Sequence, residues 1–187
     1  MTIERGSDWG EIVRCRDGGM AVTGDLAREL GVDPSLVDAH QGTWPKLPLD
    51  VVDVVATDVG GNRHVRTVTS WLIVGSHVRG EYAIVSSTSF VRGRRTFSRA
   101  HPNDGRLDWL MFHQSMTFRQ RLAFRRRTRT ESHLPHPQIT VGTGPVFTRT
   151  FARPLTVRFE SARPIRSVVE LTATIRPDAS VTHIPAP

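Results

Sequence analysis

Several side chains in this sequence could act as nucleophiles or metal ligands, but few of them have the neighbours that such chemistry needs. Ser86 and Ser87 carry hydroxyl groups, yet no motif places the histidine and the acid that activate a catalytic serine. His133 and His136 are three residues apart, and the prolines between and after them prevent a shared helical face. A zinc site without cysteine needs about three histidines. The sequence therefore predicts neither a serine–histidine–acid triad nor a zinc site.

Two aspartates stand where a carboxylate has a clear use. Asp104 lies in the predicted turn 101–105, whose Pro, Asn, Asp and Gly residues favour turn geometry. Its carboxylate can bind a hard cation, which prefers oxygen ligands, or it can accept a hydrogen bond within its own turn. Asp25 lies near the start of a predicted helix over 24–31, where it can serve as the N-cap residue, with Gly31 ending the helix.

Arginine dominates the basic residues and sets the charge of the chain. The formal net charge is +7, and Lys46 is the only lysine among 25 basic residues. Arginine binds phosphate in a bidentate manner, so the excess charge favours a nucleotide, phospholipid or nucleic acid as partner. Codon bias in a GC-rich genome would produce the same composition. Six arginines fall in a predicted helix over 116–131: Arg119, Arg121, Arg125, Arg126, Arg127 and Arg129.

This arginine-rich helix has three interpretations. It can be a solvated surface, contact anionic lipid headgroups, or bind nucleic acid without sequence specificity. Phe118 and Leu122 are spaced to share one face, which predicts the side that packs on the rest of the chain. Phe118 and Phe124 do not share a face, so an aromatic ladder for stacking single-stranded bases is not expected.

The composition is that of a globular chain with its own core. Hydrophobic residues make up 38% of the 187 residues, and charged residues make up 23%. The longest strongly apolar stretch, Trp71–Val74, is far shorter than the roughly 20 residues of a membrane-spanning helix. Charged residues within the first 20 positions exclude a signal peptide, and the single cysteine, Cys15, excludes an intramolecular disulfide. We therefore expect a cytoplasmic protein.

Residues 49–187 have the pattern of short strands separated by turns. Val51–Val55 and Val65–Val74 flank a strong turn signal at 58–62, which predicts a β-hairpin. The residues predict an antiparallel β-sandwich with few helices, and the helix over 116–131 should pack at its edge. A further turn is predicted from Gly75 to Gly80. The remaining predicted strands cover 82–90, 107–112, 139–141, 146–150, 155–159, 168–175 and 181–184.

The region before residue 49 carries a different pattern. Residues 1–20 give no clear element, and a second short helix is predicted over 33–39. Two prolines between Gly42 and Pro48 predict a loop there.

Three segments occur along the chain in a characteristic order. The first is T-G-D-L-A-R-E-L-G at 23–31, the second is A-H-P-N-D-G-R-L-D at 100–108, and the third is H-L-P-H-P at 133–137. They resemble the G-T-G-N-D-[FL]-A-R, D-D-G-x-[LF]-D and H-x-x-H-P motifs of the diacylglycerol kinase family of lipid kinases. The resemblance covers about residues 19–187.

This resemblance implies a domain organisation and candidate site residues. Residues 49–187 would form the β-sandwich domain of the family, and residues 1–48 would be a remnant of the nucleotide-binding half. Asp25 would lie on the nucleotide-binding side. Asp104 would hold a structural Mg²⁺ together with the backbone carbonyls of His101 and Arg106.

The departures from the family pattern shape the predicted function. The G-G-D-G-T loop that binds ATP phosphates is absent from the sequence, and the segment 167–172 stands where the family has D-G-E, with Glu170 as its only carboxylate. Phosphoryl transfer needs charge neutralisation at the phosphate and a positioned nucleophile. We therefore do not expect this chain alone to bind ATP or transfer phosphate.

The predicted function is that of a lipid kinase-like protein that binds a lipid or another anionic ligand, or of a regulatory pseudoenzyme. A pseudoenzyme could assemble with a separate nucleotide-binding chain or as a homo-oligomer, and could associate peripherally with membranes. The alternative is a basic interaction module that binds nucleic acid. Salt separates the two, because nucleic-acid binding weakens steeply with ionic strength and capture of a lipid in an apolar cleft does not.

Overall fold

The computed structural model describes residues 12–14, 24–31, 43–160 and 162–183. Strands dominate these residues, and all strand pairs are antiparallel. In chain order the elements are β1 (Ile12–Arg14), α1 (Gly24–Glu29), β2 (Thr43–Asp58), β3 (Arg63–Val68), β4 (Trp71–Gly75), β5 (Tyr82–Ser86), β6 (Phe90–Val91), β7 (Arg94–Arg95), β8 (Leu107–Phe112), α2 (Phe118–Arg127), β9 (Ile139–Gly144), β10 (Val146–Phe159) and β11 (Ile165–His183).

Nine of the described strands form one large sheet. Their order is β1-β2-β11-β10-β4-β5-β8-β9, with β3 paired to β2, while β6 and β7 form a separate hairpin. Side chains from β2, β3 and β11 meet side chains from β4, β5 and β8 in one core cluster, so the sheet folds over an interior. The prediction of a mainly antiparallel β-sandwich is confirmed.

The strands β4 and β5 separate two hydrophobic clusters. Leu72 and Val74 point into the interior cluster, whereas Trp71 and Ile73 point to the outer face. Every residue of β4 is buried, because alternate side chains of a strand enter opposite faces and both faces are covered. The outer cluster is the face that carries the candidate ligand cavity described below.

Helix α2 lies on this outer face, not at the edge of the sandwich as the sequence predicted. Its Phe124 packs edge-on against Phe112 of β8. The helix begins after a capping box formed by Thr117 and Gln120. The predicted packing face is also wrong, because Phe118 is 55% exposed, and Arg121 and Phe124 are the buried residues.

Two long strands replace pairs of shorter predicted ones. β10 joins the predicted strands 146–150 and 155–159, and β11 joins 168–175 to the described part of 181–184. The sequence breaks at Pro154 and Pro177 coincide with register shifts between Thr150 and Leu155 and between Arg176 and Ser180. A β-bulge accommodates a proline that lacks the ladder N–H, so the strand bends without ending.

Other predicted boundaries change for local reasons. The segment 43–48, predicted as loop, belongs to β2, where 43–45 pairs with β1 and 46–48 pairs with β11. A proline fits extended backbone wherever its missing N–H is not needed. The predicted strand 65–74 divides into β3 and β4 at a bend, and β5 ends at Ser86. At this end of β5, the hydroxyl groups of Ser86 and Ser87 donate hydrogen bonds to backbone carbonyls. Such side-chain bonds compete with the backbone pairing of a strand.

The N-terminal predictions have mixed outcomes. Helix α1 forms, and Gly31 follows it with a φ of +65°, as expected of a helix stop. The predicted helix over 33–39 lies outside the described residues. The division into 1–48 and 49–187 stays a prediction, although β2 crosses position 48. No described helix is both long enough and apolar enough to cross a membrane.

Candidate functional site

The predicted turn over 101–105 forms, and Asp104 stabilises it locally. The Oδ1 atom of Asp104 accepts the backbone N–H of Arg106 at 3.0 Å, and the backbone N–H of Asn103 donates to Nδ1 of His101 at 3.3 Å. Partial removal of water from the Asp104 carboxyl group raises its pKa above the ordinary value, and the nearby Asp50 carboxylate acts in the same direction. The carboxylate of Asp104 thus acts within its own turn.

Asp50 anchors this turn, a role that the sequence did not predict. It is 1% exposed, and its two carboxylate oxygens accept the N–H groups of Gly105 at 2.7 Å and Asp178 at 3.1 Å. Its own N–H donates to the carbonyl of Pro102 at 2.9 Å. The aspartate directly before the valine-rich segment 51–55 was the available signal. A buried aspartate needs hydrogen-bond donors around it.

The described residues offer little to a metal ion at this turn. No group of three His, Cys, Asp or Glu residues in the described ranges could hold one. Asp104 would contribute one carboxylate, and that carboxylate already accepts a backbone N–H. Magnesium prefers near-octahedral oxygen coordination, so this donor set fits it poorly. Magnesium binding through Asp104, His101 and Arg106 stays a prediction.

A matched pair of substitutions tests this account of the turn. Asp50→Asn is expected to lower the free energy of unfolding by about 2 kcal/mol, because the amide N–H₂ would face a buried N–H donor. Asp104→Asn should cost less than about 0.5 kcal/mol, because Asn keeps an acceptor for Arg106. Urea unfolding of both variants measures the difference. A magnesium-dependent rise in the melting temperature of the parent, lost in Asp104→Asn, would instead establish the metal site.

Asp25 is buried between α1 and the sheet, and the bonds that the structure describes for its side chain lead away from its own helix. Its carboxylate accepts the indole N–H of Trp71 at 2.7 Å and the backbone N–H of Gly93 at 2.6 Å. Its backbone N–H donates to Oε1 of Glu160 at 2.8 Å. These bonds use both carboxylate oxygens to attach α1 to β4 and to the β6–β7 hairpin. A nucleotide-binding role for Asp25 stays a prediction.

Two further carboxylates complete this attachment. Glu29 accepts both the N–H and the hydroxyl of Ser89, and burial raises its pKa despite those bonds. Glu160 accepts the hydroxyl of Ser70. Glu160 is therefore the carboxylate that contacts Asp25, whereas Glu170 is an exposed residue of β11 opposite Thr57 and Thr150. The 135 residues between Asp25 and Glu160 explain why no local pattern pointed to this pair.

A cavity of about 340 Å³ opens on the outer face between α2 and the β6–β7 hairpin. We call it the arginine-rimmed cavity. Its floor is apolar, and its volume lies at the lower end of the roughly 300–1,000 Å³ of ligand pockets. Its lining consists of Ile73, His77, Tyr82, Ile84, Val91, Arg92, Arg94, Thr96, Phe112, Arg121, Phe124, Arg125 and Thr128.

The charged side chains of this cavity are all basic. Four arginines line it, and none of the lining residues is acidic. Arg92 and Arg125 are exposed at the rim, and the half-buried Arg94 donates to the carbonyl oxygen of Arg125. None of these three rim arginines forms a salt bridge within the described chain. Their guanidinium groups are therefore available to an anion.

Arg121 has a different role from the rim arginines. It is 1% exposed, and it donates to the carbonyl oxygens of Met116, Ser76 and Gly80. Its guanidinium carbon lies 5.3 Å from the centre of the Phe112 ring, within the range of a cation–π contact. Arg121 thus fixes the turn after β4 and supports the cavity floor.

The electrostatic environment of the cavity disfavours further positive charge. Burial, assisted by the positive charges of Arg125, Arg121 and Arg92, lowers the pKa of His77, so its imidazole is neutral near pH 7. Burial raises the pKa of Tyr82 to about 12, so its phenol is neutral as well. Burial and the neighbouring Arg125 also lower the pKa of Arg94. A bound anion would relieve the repulsion among these cations.

The sequence pattern identified the arginines of α2 as a group but did not predict this arrangement. Position 121 turns inward, and Arg125, one turn later, reaches the rim. Arg92 and Arg94 come from the β6–β7 hairpin, whose turn residues Arg92 and Gly93 both have positive φ, at 53° and 74°. Asn and Gly are the residues that usually mark such a turn, so Arg92 gave little signal.

Comparisons of the sequence alone find no relative. No family model matches the chain, and neither does any curated protein. Solved structures do match it, and the class of fold that they define is that of diacylglycerol kinases. This result confirms the fold that the sequence resemblance implied.

Three of the matching structures come from Bacillus anthracis str. Sterne. Two are described as a "putative diacylglycerol kinase" and align with TM-scores of 0.60 and 0.59. A third, described as one of the diacylglycerol kinases, aligns with a TM-score of 0.52. Each has 10% sequence identity to this chain and covers 86% of it. The aligned region spans 66%, 66% and 63% of those proteins, slightly less than two thirds.

Proposed function

We propose that this chain binds an amphiphile with an anionic headgroup in the arginine-rimmed cavity and does not by itself transfer phosphate. The observation that carries the proposal is the pairing of an apolar floor with three rim arginines, Arg92, Arg94 and Arg125, and no acidic residue in the lining. The floor suits an alkyl chain, since each buried methylene contributes about 0.8 kcal/mol. The rim suits a phosphate or carboxylate headgroup, which arginine binds through charge-assisted hydrogen bonds.

The fold and the sequence add support to this proposal. The matching structures are described as diacylglycerol kinases, proteins whose name refers to a lipid substrate. The sequence lacks the G-G-D-G-T motif of that family. A lipid kinase-like fold that binds its ligand without phosphoryl transfer accounts for both facts.

The test uses a double substitution at the rim and a matched control on α2. Arg92→Gln/Arg125→Gln removes two cavity arginines, and Arg126→Gln/Arg127→Gln removes two exposed arginines that do not line the cavity. Both variants change the net charge equally. With dodecyl phosphate as ligand, calorimetry should show about 100-fold weaker binding for the rim variant, because each charge-assisted bond contributes about 1.5 kcal/mol or more. The control should stay within about threefold of the parent.

Other probes distinguish the alternatives. Dodecylphosphocholine, whose headgroup has no net charge, should bind more weakly than dodecyl phosphate, and inorganic phosphate should bind weakly because it leaves the apolar floor uncovered. Equal losses in the two double variants would contradict a cavity site. Tight binding of a DNA duplex that falls steeply with salt would favour the nucleic-acid alternative.

A further inference from the structure

A second cavity, of about 230 Å³, opens at the end of the sandwich interior. We call it the end cavity. Tyr82 and Phe112 belong to the strands between this cavity and the arginine-rimmed cavity, and they contribute to both. The other lining residues are Glu81, Ala83, Met111, His113, Gln114, Thr140, Arg149 and Phe151.

Strand alternation places one acid and one base of this lining on the interior face of the sheet. Ala83 and Phe151 are buried members of the interior cluster. Glu81 lies two residues before Ala83, and Arg149 lies two residues before Phe151, so each points to the same face as its buried neighbour. The two charged side chains therefore meet at the mouth of an apolar interior.

The cavity exists because β10 pairs with β4 over only part of its length. The pairing with β4 covers Val157–Phe159, and the earlier part of β10 pairs with β11 alone in the described chain. A register shift between Thr150 and Leu155 separates the two parts. The start of β10 accordingly stands apart from β5, which leaves the gap that Arg149 and Glu81 border.

Glu81 and Arg149 contact each other only loosely. Their nearest charged atoms, Oε1 and Nη2, are 3.7 Å apart, which is longer than a hydrogen bond. The side chains of Glu81 and Arg149 are 18% and 47% exposed, and this contact is the only polar one that the described residues give to either. A mostly buried carboxylate normally accepts several hydrogen bonds. Both groups thus retain hydrogen-bonding capacity for a ligand.

We propose that the end cavity binds a small aliphatic α-amino acid as a zwitterion. Its ammonium group donates to the carboxylate of Glu81, and its carboxylate accepts from the guanidinium of Arg149, both as charge-assisted hydrogen bonds. Its side chain covers the apolar floor of Ala83, Met111 and Phe151. The volume is below the roughly 300–1,000 Å³ of most ligand pockets, which favours a small ligand.

The balance of charge distinguishes this ligand from that of the arginine-rimmed cavity. The charged residues of the end cavity are one acid and one arginine, whereas the arginine-rimmed cavity holds arginines and no acid. A ligand with a single charge would leave one member of the Glu81–Arg149 pair uncompensated in a partly desolvated site, which is unfavourable. A zwitterion compensates both members.

Calorimetry of the unmodified chain with three ligands of one carbon skeleton tests the proposal. L-leucine should bind with a dissociation constant of about 0.1 mM, as expected of a ligand with so few atoms. 4-Methylpentanoate lacks the ammonium group and 3-methylbutylamine lacks the carboxylate, so each should bind at least about tenfold more weakly. No binding of L-leucine at about 5 mM would overturn the proposal, and so would an analogue that binds as tightly as L-leucine.

Matched substitutions assign each charge of the ligand to its partner. Glu81→Gln should bind L-leucine and 4-methylpentanoate about equally, and Arg149→Gln should bind L-leucine and 3-methylbutylamine about equally. Glu170→Gln and Arg153→Gln remove the same charges from exposed residues outside the cavity, and should stay within about twofold of the parent. Circular dichroism verifies that each variant is folded. Folded cavity variants that bind L-leucine as tightly as these controls would contradict the site.

Discussion

Gly75→Ala is expected to lower the free energy of unfolding by about 3 kcal/mol or more, or to prevent folding. Gly75 ends β4 with a φ of +73°, a conformation that costs a residue with a side chain roughly 1–2 kcal/mol. A Cβ atom would also lie 2.2 Å from the carbonyl oxygen of Glu81, far inside contact distance. Relief would require moving the backbone of Glu81, directly before β5, and overpacking of this kind costs about 1–3 kcal/mol more.

Gly80→Ala separates the two contributions. Gly80 has nearly the same φ, +74°, but nothing lies within 4 Å of its Cβ position. We expect this variant to lose only the stability that the positive φ costs a residue with a side chain, roughly 1–2 kcal/mol. Urea unfolding followed by tryptophan fluorescence measures both losses. Equal values for Gly75→Ala and Gly80→Ala would show that the backbone of Glu81 moves freely.

Arg121→Met is expected to destabilise the protein by about 3 kcal/mol. The substitution keeps an apolar side chain of similar length but removes the donors to the carbonyl oxygens of Met116, Ser76 and Gly80. A buried acceptor left without a donor costs about 1–3 kcal/mol, and partial access of water to the turn 76–80 offsets part of the sum. Removing the desolvated guanidinium charge offsets a further part.

Two other variants identify the cause of that loss. Arg121→Lys should recover part of the stability, because an ammonium group can donate to some of the same carbonyls. Arg125→Met should change the unfolding free energy by less than about 0.5 kcal/mol, because Arg125 is exposed at the cavity rim. Thermal unfolding monitored by circular dichroism compares the three proteins. An Arg121→Met variant as stable as the parent would mean that these carbonyls have other donors.

Gly75 and Arg121 both act on the turn after β4. The sequence predicted this turn but not the contacts that hold it. Its glycines marked the reversal of the chain between two strands, and the structure confirms that reversal. Which glycine tolerates a side chain depends on the approach of Glu81, a contact that no local pattern encodes. The role of Arg121 was likewise hidden, since an arginine among five others in one helix resembles a solvated residue.

In the candidate sites, too, the sequence predicted the local features but not the contacts between distant residues. The turn at 101–105 was predicted correctly, because Pro, Asn, Asp and Gly act on the backbone within a few residues. Its anchor, Asp50, lies 55 residues before Gly105 and 128 residues before Asp178. The attachment of Asp25 to Trp71 spans 46 residues, so the sequence could offer the N-cap interpretation but not the contact.

The sequence by itself determined the antiparallel β character of this protein and the location of most strands. Alternating apolar residues and turn-forming residues act locally, and the bounds predicted for β8, Leu107–Phe112, match the structure. Only the tertiary structure decided that β10 and β11 continue through their prolines, that Arg121 turns inward, and that Arg92, Arg94 and Arg125 meet at one cavity. The physical reason is that these outcomes depend on packing across the folded sheet, where strands distant in sequence supply the hydrogen bonds and the apolar surface that override local preference.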